Sequence, residues 1–245
     1  MAEPLAPPAA AHWPGESHRS PHRGQANWAL RAPLARWVEE QAAGAAARHG
    51  RLRVLDVGCG FKPYYPFFAP YAEQFVGVDS AENASADLVG AAESLPVGDA
   101  SFDVVLCTQV LEHADDPAQV VSELSRVAVA GGTVLASTHG VQVYHPSPVD
   151  LWRWTHEGLR RLFSANGSWS SVAVTPGAGT GATLAMLVAT YVDLAAQRLH
   201  LVRAAGGAIW LLNSLGAWID GRSRELREPG PGSLIANFHV AALKA

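Results

Sequence analysis

Residues 54–60 read VLDVGCG, and this stretch decides the fold of the chain. Its apolar residues predict a short buried strand that ends in a turn through Gly58 and Gly60, where a ligand can approach a backbone without side chains. A second predicted strand, QFVGVD at 74–79, ends in Asp79, 19 residues after Gly60. An acid at that position can accept hydrogen bonds from both hydroxyls of a ribose. Together the two elements predict a site for an adenosine-type cofactor; the alternative is a tight turn followed by a helix-capping acid.

Strand and helix patterns alternate along the rest of the chain. Besides 74–79, the strands are predicted at 53–57, 87–89, 101–107, 132–137, 170–175 and 235–243. Apolar residues at helical spacing predict helices at 27–47, at 117–127 and from Thr155 onward. This alternation is typical of the α/β class, so we expect a Rossmann-like, mostly parallel seven-stranded sheet with helices on both faces. Residues 26–245 then form a single domain, and the Pro- and Ala-rich segment 1–25 is expected to be a disordered tail.

A helical insert is predicted at about 179–232, before the last strand. Its first part, 179–220, is apolar with helical spacing and a predicted break around Gly206-Gly207. Three interpretations stay open: a cap over the active site, the face of a homodimer, or a surface that rests on a membrane through 179–227. Basic residues favour the membrane interpretation and acidic residues in the same stretch oppose it, and a cap or dimer face is the more common outcome. The residues concerned are Arg222, Arg224, Arg227, Glu225 and Glu228.

The composition of the chain limits which binding partners and which cellular location are expected. Half of the residues are apolar (49%), which is enough for a buried core, and the formal net charge is -4. No Lys/Arg cluster offers the positive face that nucleic acids require, so no nucleic-acid partner is expected. The two cysteines, Cys59 and Cys107, form no CxxC pair, and no metal-ligand pattern is visible. The sequence shows neither a secretory signal pattern nor a long uninterrupted apolar run, so we predict a cytoplasmic protein.

Four segments together resemble the class I S-adenosylmethionine (SAM)-dependent methyltransferases. They are VLDVGCG (54–60), VGVDS (76–80), AAESLPVGDASFDVVLCTQVLEHADDP (91–117) and GGTVLAS (131–137). The resemblance is greatest to the small-molecule group whose fourth strand runs into a VLEH segment. The GCGFKPY segment (58–64) and HPSPVDLWRWTHEGLRRLF (145–163) are similar to members that modify sugars, polysaccharides and natural products. The resemblance covers about 51–175 well and is weak elsewhere.

The resemblance implies SAM as the cofactor and S-adenosylhomocysteine as the product. The glycines would let the backbone pass the methionine part of SAM, and Asp79 would hold the ribose hydroxyls. The complete implied cofactor set is Asp56, Gly58, Cys59, Gly60, Asp79, Ser80, Ala92, Glu93 and Gln109. One position departs from the family, because the acid that usually accepts from the adenine amino group is Ala91 here. The loss of one such hydrogen bond costs about 1.5–3 kcal/mol if nothing replaces it.

Methyl transfer to an alcohol or phenol also benefits from a base near neutral pH, and histidine has a suitable pKa. The candidate bases follow predicted strands at the carboxyl edge of the sheet: His113, His139 and His145. The alternative for His113 is that the pair with Glu112 orients the next segment. Candidate substrate-binding residues are Tyr144, Asp150, Arg153 and Trp154. The alternative for Asp150 and Arg153 is an ion pair with each other. The alternative for Trp154 is packing in the core or in a lid.

The resulting functional hypothesis is methyl transfer from SAM to a small-molecule acceptor, at an oxygen of a sugar, a glycoside or a natural-product intermediate. The first alternative is a methyltransferase acting on a lipid-linked substrate at a membrane surface. The second is a non-catalytic SAM-binding partner protein, which the departure at Ala91 favours. A nicotinamide oxidoreductase is disfavoured because Phe61, Lys62 and Pro63 replace the rest of a GxGxxG turn.

Overall fold

The computed structural model describes residues 13–80, 85–146 and 149–245. Seven strands form one sheet in the order β3-β2-β1-β4-β5-β7-β6. The strands are β1 (Leu52–Val57), β2 (Ala72–Asp79), β3 (Leu88–Val89), β4 (Phe102–Thr108), β5 (Ala128–His139), β6 (Trp169–Pro176) and β7 (Asn237–Lys244). The helices are α1 (Glu16–Arg19), α2 (Trp28–His49), α3 (Tyr65–Phe68), α4 (Pro117–Val127), α5 (His156–Ala165), α6 (Thr180–Arg198), α7 (Val202–Arg222) and α8 (Arg224–Arg227).

The sheet is mostly parallel, as the sequence predicts. Strand β1 pairs in parallel with β2 and β4, and β4 pairs in parallel with β5. Only β7 runs antiparallel to its neighbours β5 and β6. The carboxyl ends of β1, β2, β4 and β5 therefore meet at one edge of the sheet, where α/β proteins bind their ligands.

Helices cover both faces of this sheet, which confirms the predicted α/β architecture. Buried side chains of α4 and α5, such as Leu124 and Phe163, pack on one face. Side chains of α2 and α6, such as Val38 and Met186, pack on the other. Because both faces are covered, the central strands are apolar on both sides, and Leu55 of β1 is completely buried.

The amino-terminal prediction is wrong for the residues that the structure describes. Part of the segment 13–25 forms the short helix α1, and its side chains bond to the chain that follows β1. The Trp13 indole donates to the carbonyl of Lys62 at 2.9 Å, and the Arg19 guanidinium donates to the carbonyl of Pro63 at 2.6 Å. Composition alone did not reveal these long-range bonds. The remainder of the predicted tail, 1–12, lies outside the described residues.

The helical insert is confirmed, but the predicted position of its break is wrong. Gly206 and Gly207 lie inside α7, and the chain reverses at His200, which has φ of +56°. The amide of Leu201 donates to the carbonyl of Ala196 at 2.8 Å, which closes α6 in the manner of a Schellman motif. A glycine inside a helix costs only about 1 kcal/mol, so the glycine pair is tolerated within α7.

Helices α6 and α7 form a tightly packed antiparallel pair, which we call the α6–α7 hairpin. A Cβ at Gly216 of α7 would lie 2.6 Å from the carbonyl oxygen of Gly181 in α6, so the two backbones touch. The buried carboxylate of Asp220 accepts from the amides of Gly181 and Ala182 at 2.7 and 3.0 Å. It thereby satisfies amides at the start of α6 that have no partner inside the helix. None of the helices in the described part of the chain is long and apolar enough to cross a membrane.

The Asp220→Ala variant should be less stable than the parent protein by about 2–4 kcal/mol, because two buried amides lose a charged acceptor. Urea unfolding at neutral pH measures this difference. The matched control is Asp193→Ala in α6. Among the described residues the Asp193 carboxylate bonds only to the exposed Gln197 amide, so its loss should change stability by less than about 0.5 kcal/mol. Equal effects of the two variants would contradict the capping role.

Candidate active site

The glycine turn lies at the carboxyl end of β1, near the middle of the sheet. Gly58 has φ of +65°, and a Cβ there would lie 2.4 Å from Cγ2 of Val110. Gly60 has φ of +50°, and no atom of the described residues beyond its chain neighbours lies within 4 Å of its Cβ position. Such backbone conformations strain any residue with a side chain. Packing thus requires glycine at 58, whereas Gly60 borders open space that a ligand can fill.

Asp79 at the end of β2 reaches the glycine turn. One carboxylate oxygen accepts from the amide of Gly60 at 2.9 Å, and the other accepts from the amide of Ser80 at 2.8 Å. Strand β2 pairs in parallel with β1, so both strand ends lie at the same edge. The structure brings together the two elements from which the sequence predicts an adenosine site.

Cys59 holds the turn in place and buries its side chain. Its amide donates to the carbonyl of Val78 at 3.1 Å, and its thiol lies against Gly77 beneath the turn. Burial raises the pKa of the Cys59 thiol to about 12, so the thiol stays protonated and unreactive near neutral pH. Any contact of Cys59 with a ligand would therefore come from its backbone.

Three ionisable side chains lie below the turn. Asp56 of β1 is buried, and its Oδ2 atom has no hydrogen-bond partner among the described residues. Burial raises the pKa of Asp56 to about 8, and the neighbouring Lys62 opposes that shift. The Lys62 ammonium pairs at 2.6 Å with Asp87, which also accepts from the amide of Gly77. Sequence analysis missed Lys62 and Asp87; the lysine directly after the glycine turn was the available signal.

The segment predicted to follow the adenine edge lies beside the amino end of α4. Ala92 is half-buried against the core, and the Glu93 carboxylate accepts from the amide of Asp115 at 3.2 Å. The Glu93 backbone oxygen accepts from the side chain of Gln119. Ala91 is exposed. The roles of Ala92 and Glu93 toward the cofactor stay predictions.

Gln109 occupies the carboxyl end of β4 in a left-handed conformation, with φ of +58°. Its side-chain amide donates to the hydroxyl of Ser137 at 2.9 Å and to Oδ1 of Asn237 at 3.0 Å. These bonds tie β4 to β5 and β7 across the sheet. The predicted position of Gln109 at the amino-acid end of SAM stays a prediction.

The three candidate bases form one cluster. The ring of His145 contacts the other two edge to face, with centroids 5.3 Å from His113 and 5.1 Å from His139. His139 ends β5, which lies two strands from β1, or roughly 10 Å across the sheet. The cluster therefore lies at the same edge of the sheet as the glycine turn, with the end of β4 between them.

Glu112 lies behind this cluster and is completely buried. Its carboxylate accepts from the hydroxyl of Thr138 at 2.8 Å. Its other oxygen lies 3.3 Å from Nε2 of His139, which is ion-pair distance without hydrogen-bond alignment. The backbone oxygen of Glu112 accepts from the amides of Leu151 and Trp152. Glu112 is the acid of the VLEH segment, and sequence analysis treated it only as a possible orienting group.

The environments of the ionisable groups favour neutral forms. Burial is the main cause in each case: it raises the pKa of Glu112 to about 7 and lowers that of His139 to about 3. Burial also lowers the pKa of His145, although Asp150 opposes this shift. Nε2 of His145 and Nδ1 of His139 are buried without hydrogen-bond partners among the described residues. At neutral pH both imidazoles are therefore uncharged.

The candidate substrate-binding residues differ in their placement. Asp150 and Arg153 form an ion pair, and Asp150 also accepts from the amide of His145 at 3.1 Å. Trp154 stacks on Trp152 at 5.8 Å and packs against the core, while its buried indole nitrogen has no partner among the described residues. Tyr144 is 74% exposed and has no hydrogen bond or ring contact to another described residue. Arg153 thus supports the loop that carries His145.

The strand order and the glycine turn define the fold of class I SAM-dependent methyltransferases. A family model described as a methyltransferase domain matches residues 55–136. A ubiquinone biosynthesis O-methyltransferase of Thiobacillus denitrificans is 33% identical over 118 residues, which cover 42% of this chain and 49% of the relative. An ajmaline N-methyltransferase of Rauvolfia serpentina is 28% identical over 133 residues, covering 47% of this chain and 46% of the relative. Residues 55–136 are thus a methyltransferase domain of the SAM-dependent class.

The fold extends over almost the whole chain, although the sequence matches do not. The solved structure of the [4+2]-cyclase SpnF matches with a TM-score of 0.52 at 17% identity, over 91% of this chain and 96% of that chain. The matched segments span about half the length of the two curated relatives. Since one fold carries methyltransferases and a cyclase, the chemistry has to be argued from the site.

The cofactor of this class is SAM, and the residues at the glycine turn fit it. The space beside the bare backbone of Gly60 is open to a ligand, and the carboxylate of Asp79 lies next to it, where it could accept from ribose hydroxyls. The unpartnered Oδ2 of Asp56 is a buried acceptor that suits an ammonium group. An ammonium group bound there would donate the hydrogen bond that the buried Oδ2 of Asp56 lacks.

The Asp79→Ala variant should bind SAM about ten- to hundredfold more weakly, because charge-assisted hydrogen bonds of about 1.5–3 kcal/mol are lost. Titration calorimetry measures the Kd, and circular dichroism checks the fold. Asp99→Ala is the control, since Asp99 is exposed in the loop before β4 and pairs only with Arg126. An unchanged Kd in Asp79→Ala would remove the ribose assignment.

The Glu112→Gln variant should gain stability relative to the parent protein as pH rises. The folded pKa of about 7 exceeds the unfolded value of 4.5, so the stability that protonated Glu112 provides is lost as pH rises from about 4.5 through 7. Glutamine does not titrate, so the difference in unfolding free energy should shift in its favour by about 1–3 kcal/mol between pH 5 and 7.5. Urea unfolding at both pH values measures it. The exposed Glu40→Gln control should show no such change, and a flat difference for Glu112→Gln would refute the shift.

Proposed function

We propose that this protein transfers the methyl group of SAM to an oxygen atom of a small-molecule acceptor, such as a sugar, a glycoside or a natural-product intermediate. The observation that carries the proposal is the cluster of His113, His139 and His145 at the edge of the sheet that also holds the glycine turn. A neutral imidazole such as that of His145 can accept the proton that a hydroxyl releases as it attacks. A carrier or regulatory protein has no need for such a group.

The cofactor supplies an electrophilic methyl group, and the protein has to align the acceptor with it. Gly58 lets the turn pack against Val110, Gly60 leaves the cofactor side of the site free of a side chain, and Asp79 and Asp56 provide acceptors for its ribose and ammonium groups. The loop anchored by Glu112 closes the opposite side. This division leaves the acceptor between the turn and the histidines.

His145 is the best-supported base of the three. It is half-buried, and its Nε2 atom, itself buried, has no partner among the described residues, so this nitrogen can accept a proton from an acceptor molecule that enters the cluster. His139 is more deeply buried, and a pKa near 3 makes it a weak proton acceptor. The Nδ1 atom of His113 is bonded to the carbonyl of Val149. We therefore assign proton transfer to His145 and positioning roles to the other two.

Oxygen and nitrogen acceptors both occur among the relatives. The ubiquinone-pathway relative is an O-methyltransferase and the ajmaline relative is an N-methyltransferase. An amine that is already deprotonated attacks without a base, whereas a hydroxyl profits from one. The histidine cluster favours oxygen for this reason. A cytoplasmic location stays a prediction, and it is supported by two buried cysteines that are free thiols.

Two assays test the proposed function. Titration with SAM, with S-adenosylhomocysteine and with NAD as the control should show binding of the two adenosyl ligands alone. Transfer of a radiolabelled methyl group should then be measured with matched panels of glycosides, phenols and amines. Transfer of the label to glycosides or phenols, with none to amines, would support O-methyl transfer. Exclusive labelling of amines would contradict the oxygen assignment, and adenosyl binding without any transfer would favour the non-catalytic partner.

The His145→Gln variant should lower kcat about 10²- to 10⁴-fold for a hydroxyl acceptor, while the Kd for SAM changes little. In the parent protein, the acidic limb of the pH–rate profile should report a pKa below 6.5, because burial lowers the pKa of His145. That limb should disappear in the variant. The exposed His22→Gln serves as the control. Full activity in His145→Gln would exclude this histidine as the base.

A further inference from the structure

The α6–α7 hairpin carries most of the exposed apolar surface of the described chain. Eleven of the eighteen large exposed hydrophobic side chains lie on it or at its tip. They are Leu184, Val188, Tyr191, Leu194, Leu199, Leu201, Val202, Trp210, Leu211, Leu215 and Trp218. A concentration of this kind marks a surface that binds something.

Helical spacing places three of these side chains on one face of each helix. Leu184, Val188 and Tyr191 follow each other at positions i, i+4 and i+7 of α6, and the same spacing relates the exposed residues 211, 215 and 218 of α7. The opposite face of α6, with Met186 and Ala189, is buried. A groove of about 300 Å³ with an almost entirely apolar lining runs between the two helices, and Leu184, Val188 and Leu215 border it.

The charges on this face have one sign. The hairpin contains three arginines, Arg198, Arg203 and Arg222, and all three are exposed. Its two acids are withdrawn from the apolar face. Asp220 is buried under the start of α6, and Asp193 lies two and a half turns after Leu184, on the opposite side of the helix.

The basic residues lie at both ends of the apolar face. Arg198 and Arg203 flank the tip with His200, and Arg222 stands over the ring of Trp218 at 3.6 Å. The adjoining stretch 223–228 has two arginines and two glutamates, so it adds no net charge. Apolar and aromatic side chains bounded by arginines are the pattern of helices that lie in the headgroup region of a bilayer.

We propose that the α6–α7 hairpin docks this protein onto the surface of an anionic phospholipid bilayer. The apolar face enters the boundary between headgroups and acyl chains, and the arginines bind lipid phosphates. A second copy of the chain is a poorer complement, since its hairpin would present arginines to arginines with no acid on either face. This docking is independent of the proposed methyl transfer, because it involves no residue of the candidate active site.

Flotation of the full chain with vesicles tests the docking, using phosphatidylcholine alone or an equal mixture with phosphatidylglycerol. The protein should bind the anionic vesicles, and salt at about 1 M should weaken binding by screening the arginines. The double variant Arg198→Gln/Arg203→Gln should lower the partition coefficient roughly twentyfold. The variant Leu211→Gln/Leu215→Gln should lower it at least about tenfold. The control Arg160→Gln/Arg161→Gln removes the same charge from α5 and should change it less than about twofold.

Several outcomes would overturn the docking. They are absence of binding to anionic vesicles, and equal losses in the hairpin variants and the α5 control. Size-exclusion chromatography could also contradict it. If the parent protein is a dimer and the Leu211→Gln/Leu215→Gln variant is a monomer, the apolar face binds a second copy of the chain. Calorimetry with SAM checks that each variant is folded. Because no acceptor or cofactor is present in the flotation, its result and that of the transfer assay are separate.

Discussion

The buried residue Glu112 joins its own segment to two others, through its carboxylate and its backbone oxygen. It accepts from Thr138 at the end of β5, contacts His139, and its backbone oxygen holds the amides of Leu151 and Trp152. A carboxyl group out of contact with water is stable only when it is hydrogen-bonded or protonated. The acceptor side of the site therefore depends in part on this residue, which holds the chain at Leu151 and Trp152 and lies against the ring of His139.

The cofactor side of the site is built differently. Backbone geometry at Gly58 and Gly60, together with one acid from the neighbouring strand, makes most of it. These features are local, or arise from two adjacent parallel strands, so a sequence pattern can reveal them. The mostly parallel sheet and both helical layers follow from the alternation of strand and helix patterns along the chain, and the contact between Asp79 and the turn follows from VLDVGCG and the next strand. The clustering of the three histidines follows from their positions after β4 and β5.

The features that the sequence did not reveal depend on long-range contacts. Lys62 reads as part of a turn, and only the fold brings it to Asp87. Glu112 looks like half of a polar pair, and its burial becomes evident only once β5 and the loop at 151–152 pack on it. The end of α6 at His200 was missed for another reason. A histidine in the left-handed conformation ends the helix where glycine is the usual signal, while a glycine pair nearby continues a helix.

The amino-terminal segment contacts both halves of the molecule. Its Trp13 and Arg19 bond to the chain after the glycine turn, while the carbonyl of Arg23 accepts from Asn213 of α7 at 2.8 Å. These residues therefore connect the loop after the glycine turn to the α6–α7 hairpin through hydrogen bonds. Domain boundaries drawn from sequence patterns place the start of the folded unit at residue 26. A protein trimmed to that boundary would keep its sheet and the cluster of His113, His139 and His145, but the loop after the glycine turn would lose its bonds to Trp13 and Arg19.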